Sequence, residues 1–178
     1  MKKTERNMLE GPLAWGILSY TIPLMVSSIL QLLFNAADLV VVGRFCGSIS
    51  VAAVGVTGAI TNLIVNLFIG LSVGAGVSVA HAIGSREDEV VHRTVHTALL
   101  MALVGGVLLK VGGVRYSTTF LRWMDTPENV LPLSSLYMRI YFGGITFTLV
   151  YNYCTSILRA AGDTQSPMII LMVAGLLN

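Results

Sequence analysis

The sequence predicts an all-α fold, a polytopic bundle of transmembrane helices with four spans and the start of a fifth. Three observations carry this. First, 54% of the 178 residues are hydrophobic and 11% charged, with a mean hydropathy of +0.78, which leaves too little polar surface to coat a water-soluble globule. Second, apolar stretches recur that match the roughly 20 residues a helix needs to cross a ~30 Å hydrocarbon core. Third, an unpaired backbone amide in hydrocarbon costs several kcal/mol, so a span is a helix or belongs to a closed barrel, and these runs lack the alternation of barrel strands.

The first span is expected at about 13–43. It opens after Gly11-Pro12, since proline is tolerated in a first helical turn, and closes near Gly43-Arg44. It is too long for the apolar core of a secretory signal. Pro23, inside it, removes a backbone hydrogen bond and is expected to kink the helix and act as a hinge. The second span, about 50–83, ends at Gly84-Ser85. Glu87, Asp88 and Glu89 then suit the positive end of the next helix, whose span is expected at about 91–111. The segment 112–127 mixes Phe120, Leu121, Trp123 and Met124 with Arg115, Arg122 and Asp125, the pattern of a short helix lying at the lipid interface. A fourth span is expected at about 130–158. The loop from Arg159 to Pro167 holds a glycine stop and Asp, Thr and Ser start residues. The fifth span, 167–178, is cut off at Asn178, as expected of the N-terminal part of a larger bundle.

Counting Lys and Arg on alternate sides puts Lys2, Lys3, Arg6, Arg86, Arg93 and Arg159 on one side and Arg44, Lys110, Arg115 and Arg122 on the other. The larger set favours a cytoplasmic N-terminus in a multi-pass protein of the inner or plasma membrane. The lipid bilayer is thus a partner, and nothing points to nucleic acid.

Asp38 is the one acid inside an expected span, where an ionised group costs at least a few kcal/mol unless hydrated or paired. Ser28, Gln31, Asn35 and Asp38 recur at helical spacing and share a face unsuited to lipid. Two readings stay open: an ion or proton path, or a headgroup position near Arg44. In the second span Gly58, Asn62, Asn66, Gly70, Gly74 and Ser78 recur every fourth position or so. The glycines suit close helix packing, and Asn62 and Asn66 need polar partners or a wet cavity. The fourth span carries a stripe of Tyr137, Tyr141, Thr148, Asn152, Thr155 and Arg159; Asn152, with Tyr151 beside it, is the expected cavity residue. His92 and His96 are one turn apart without a third ligand, so no metal site is expected. Cys46 and Cys154 read as small apolar residues. No nucleophile with a base partner and no nucleotide motif occurs, which excludes a recognisable catalytic centre or cofactor site and argues against an enzyme.

The helix from Pro23 to Asp38, then Asp38-Leu-Val-Val-Val-Gly-Arg44, Ala52-Ala-Val-Gly55, Gly70-Leu-Ser-Val-Gly-Ala-Gly76, Pro127-Glu128-Asn-Val-Leu-Pro132 and Arg159-Ala-Ala-Gly-Asp-Thr-Gln-Ser-Pro167 together resemble the N-terminal half of multidrug and toxic compound extrusion (MATE) transporters. The resemblance implies a twelve-helix transporter of two six-helix bundles that exports drugs or organic cations in exchange for Na⁺ or H⁺. It implies a cation site at Asp38, shared by Asn178 and an acid four residues further on, and a cavity completed by the remaining C-terminal helices. In the fourth span Gly144-Ile145 is followed by Thr146 where the family usually has proline. Two rivals remain. One is a lipid-linked oligosaccharide flippase of the same superfamily, which needs a cationic cavity and finds only Arg139 within the expected spans. The other is a small oligomeric membrane channel or structural subunit.

Overall fold

The computed structural model describes residues 13–177, Leu13 and Ala14 by their backbone alone. Four helices follow one another: α1 (Leu13–Gly84), α2 (Asp88–Trp123), α3 (Leu131–Ala160) and α4 (Gln165–Leu177), with no strand among the described residues. α1 is two rods, because Gly47 sits at φ 81° and ψ 175°, outside helical space. That positive φ is open to glycine and strained for other residues. The chain therefore turns at Gly47 rather than at Gly43-Arg44. The arm before it, 13–46, and the arm after it, 48–84, are separate rods.

The third helix departs from expectation. α2 runs unbroken through Gly112 and Gly113 to Trp123, so there is no separate interfacial helix over 112–127 and the helix does not stop at 111. Gly113 explains why: a Cβ there would collide with the ring of Phe142 on α3, while its neighbour Gly112 has open space. The glycine is spent on close helix contact, not on a stop.

Short loops make neighbouring rods antiparallel. α2 ends when Asp125, at φ 51°, lets Thr126 N–H reach Leu121 O and Asp125 N–H reach Arg122 O. α3 ends the same way with Gly162 at φ 88°, where Asp163 N–H bonds Leu158 O and Gly162 N–H bonds Arg159 O. Both are Schellman closures. Asp163 then caps α4, its carboxylate accepting from the backbone N–H of Gln165 and Ser166.

α3 lies at the centre. Its Met138, Phe142, Ile145 and Leu149 form a buried row with Leu121 of α2, flanked by Ile60, Ile64 and Phe68 of the second arm of α1. Tyr153 extends that row onto Ala98 and Ala102. Buried hydroxyls are satisfied locally, Thr57 donating to Ala53 O and Thr61 to Thr57 O. The outside is apolar: Leu63, Leu108, Ile140 and Phe147 are all exposed. Trp15–Gly84 and Asp88–Trp123 are long and apolar enough to cross a bilayer. On α3, Arg139 and Arg159 stand about 30 Å apart at 1.5 Å per residue, roughly one hydrocarbon thickness.

Candidate functional site: a polar cleft beside the first arm

A cleft of about 160 Å³ opens where the two arms of α1 meet α3 and α4. Spacing explains its lining. Ser27, Ser28 and Gln31 lie along one face of the first arm, and Asn152, Thr155, Ser156 and Arg159 occupy two turns of α3. Ser72 comes from the second arm and Pro167 from the start of α4. Small residues let the rods close around it. Gly76 sits against Ser156, and Gly175 of α4 lies directly under the Phe34 ring of the first arm. The Tyr20 hydroxyl ties the first arm to the end of α3 by donating to Arg159 O at 3.1 Å.

The structure thus brings together Gln31 and Asn152, with Ser28 and Tyr151 beside them. The other expected residues lie elsewhere. Asn35 and Asp38 are exposed one and two turns beyond Gln31 on the first arm. Asn62 and Asn66 are exposed on the second arm and do not line the cleft, because the face that packs on α3 carries Thr57, Thr61 and Ile64 instead. Gly70 and Gly74, expected to pack helices, have nothing near them. Asn178 falls outside the described residues. Pro23 stays within helical backbone, and the one departure inside α1 is at Gly47; Ser27 Oγ donates to Pro23 O at 2.8 Å.

Arg159 was counted in the sequence as a flanking charge, yet it lines the cleft. Its Nε is buried and has no hydrogen-bond partner among the described residues. The signal was its register with Asn152 and Thr155. Arg139, the cation noted within the fourth span, lies away from the cleft and donates to Ser117 Oγ at 3.2 Å and Thr118 Oγ1 at 3.4 Å. With Lys110 and Arg115 it borders an open groove on α2 and α3. His92 and His96 lie with ring centroids 4.8 Å apart at the start of α2, and no group of three metal-ligating side chains occurs among the described residues.

In the loop before α4, partial burial acts to raise the Asp163 carboxyl. Hydrogen bonds from the Ser166 hydroxyl and N–H and from Gln165 N–H outweigh it and hold the pKa below the ordinary aspartate value.

The cleft is lined largely by polar side chains in a bundle whose outside is apolar. Comparison with known proteins gives the family. The MatE family model matches residues 23–178. Probable multidrug resistance protein YoeA of Bacillus subtilis is 33% identical over 168 residues, 94% of this chain and 36% of its own. A MOP superfamily transporter from Pyrococcus furiosus superposes with a TM-score of 0.85 at 28% identity, covering 91% of this chain and 36% of that one. The outward-facing conformation of a multidrug resistance MATE family transporter gives the same TM-score, 0.85, at 28% identity, again over 91% and 36% of the two chains. The chain spans little more than a third of the length of the relatives it matches.

Proposed function

Because this chain belongs to the MatE family, we propose that it supplies the N-terminal helices of a secondary transporter that exports small organic molecules, drugs among them, in exchange for Na⁺ or H⁺. The observation that carries this is the cleft, where Gln31 and Asn152 face a shared polar space inside an otherwise apolar bundle. Amide side chains have donors and acceptors for a varied set of solutes, and in hydrocarbon they need such partners.

Asp38 is the proposed coupling site, and Asn178 is proposed to share it. It lies on the first arm, seven residues or about 10 Å beyond Gln31. Binding a proton or Na⁺ there neutralises a carboxylate and removes its desolvation cost. If the two access states differ in that cost, cation entry and solute release become linked through the first arm, with Pro23 as its flexible point. Asn62 and Asn66 are proposed to face the same pathway from the second arm, where the remaining helices complete it. The proposed setting is the cell membrane with the N-terminus cytoplasmic.

Truncating the cleft tests the reading. In the full-length protein Gln31→Leu and Asn152→Leu are each expected to raise the KM for an exported dye about tenfold, as loss of one hydrogen bond to the solute does, with the protein still folded. Unchanged KM in both variants would remove the cleft from the pathway. A second reading, a flippase for a lipid-linked oligosaccharide, draws support from Arg159, since a pyrophosphate needs a cation in the cavity.

A further inference from the structure

Among the described residues that line the cleft one is charged, and it is positive. Arg159 lines it together with the amides of Gln31 and Asn152 and the hydroxyl of Tyr151, and no carboxylate does among the described residues. The acid nearest in sequence, Asp163, has its oxygens committed to Gln165 and Ser166 at the start of α4. Yet Arg159 Nε is shut away from solvent with no acceptor among the described residues. Arg159 as a whole is half-buried, but an enclosed N–H left without an acceptor is unfavourable, and the guanidinium cannot relieve it by losing a proton. The cleft is roomy enough for the missing acceptor: about 160 Å³, against the ~10–15 Å³ that one water needs on the same measure. A planar guanidinium beside neutral N–H and O–H donors suits the two oxygens of a carboxylate or phosphate.

We propose that this cleft binds an anionic group, a carboxylate or phosphate, through Arg159, with Gln31, Asn152 and Tyr151 as neutral donors. The inference rests on the cleft being the transport cavity and narrows its substrates to molecules that carry such a group. Purely cationic drugs gain nothing from Arg159. The position also fits: Arg159 lies in the last turn of α3, beside the loop to α4 rather than in the middle of a helix.

The test measures equilibrium binding of carboxyfluorescein to the full-length protein in nanodiscs by fluorescence anisotropy, with pyrophosphate as competitor and ethidium as a cationic control. The wild type is expected to bind carboxyfluorescein saturably, and pyrophosphate to displace it. Arg159→Gln is expected to weaken that binding about tenfold or more and Arg159→Lys less, since lysine keeps the charge without the two-pronged geometry. Ethidium binding should change in neither. A merely structural arginine would shift both dyes alike or neither, and either result overturns the proposal, as does the absence of saturable carboxyfluorescein binding. Should Arg159→Gln fail to fold, Tyr151→Phe keeps the charge and removes one donor, and about threefold weakening of carboxyfluorescein alone is expected; no change overturns the proposal. Weaker carboxyfluorescein binding in phosphatidylglycerol nanodiscs than in phosphatidylcholine ones assigns the anion to a competing lipid headgroup, and equal binding in both assigns it to a water-soluble molecule; both support the site. Anion binding without gradient-driven export of either dye would sink the exporter reading and leave the site standing.

Discussion

Asp163 shows how much a single side chain settles. Its carboxylate starts α4 by accepting from Gln165 and Ser166, and those bonds hold its pKa below the ordinary value against the opposing effect of burial. Asp163→Ala is expected to cost about 1 kcal/mol, the usual worth of an N-cap, read as a lower melting temperature in detergent. The sign of the pH dependence follows from the depressed folded-state pKa. The Asp163 contribution is fully present above the unfolded value of about 3.9 and is lost as pH falls through the lower folded value. The wild-type and alanine melting curves should therefore converge only in strong acid. The Asp163 cap was legible in the sequence, because an acid after a glycine stop has few other uses. Gln31 and Asn152 were legible as amides within apolar spans, but the same pattern pointed to Asn35, Asn62 and Asn66, which do not line the cleft, because sequence does not say which polar face meets a neighbour. Arg159 was not, because a cation at a helix end is usually solvated, and only the fold shows that its Nε is enclosed.

At the scale of the helix, glycine was the ambiguous letter. Gly43, Gly84, Gly112 and the glycine of the 159–167 loop, Gly162, read as stops in the sequence, yet the backbone turns through positive φ only at Gly47 and Gly162 among the described glycines. Gly112 and Gly113 continue a helix because one of them passes under Phe142. Sequence likewise could not say which glycine row of the second arm meets a neighbour. Gly76 does, against Ser156, while Gly70 and Gly74 stand open. Adjacent substitutions should therefore act in opposite directions. Gly113→Ala is expected to destabilise by about 1–3 kcal/mol through overpacking, and Gly112→Ala to stabilise by up to about 1 kcal/mol through helix propensity. Thermal unfolding of the two variants checks this, and a common sign would mean that α2 and α3 do not meet at Gly113. Pro23 poses a related question, since the helix accommodates it without leaving helical backbone. Proline costs about 3 kcal/mol against alanine inside a helix, so Pro23→Ala should leave the protein at least as stable. If the first arm must flex there, export should nonetheless fall. Unimpaired export by a stabilised variant would retire the hinge.

For the molecule as a whole, the chain carries family membership in its ordered helices, and it spans 36% of the length of YoeA. Asn35, Asp38, Asn62 and Asn66 are exposed, and in the proposed mechanism they face the rest of a transporter. These 178 residues expressed alone are expected to insert in a membrane without transporting, because a wall of the pathway is missing; saturable, gradient-dependent export by them alone would favour a self-sufficient oligomer. In the proposed mechanism solute export is coupled to a cation at Asp38. It is tested most directly by dye flux in proteoliposomes of the full-length protein under an imposed Na⁺ or H⁺ gradient, with wild type and Asp38→Asn compared. Gradient-driven flux in the wild type, reduced in the variant to the level of protein-free vesicles, is the expected result. Asp38→Asn flux equal to wild type, with the same dependence on the gradient, would contradict the account.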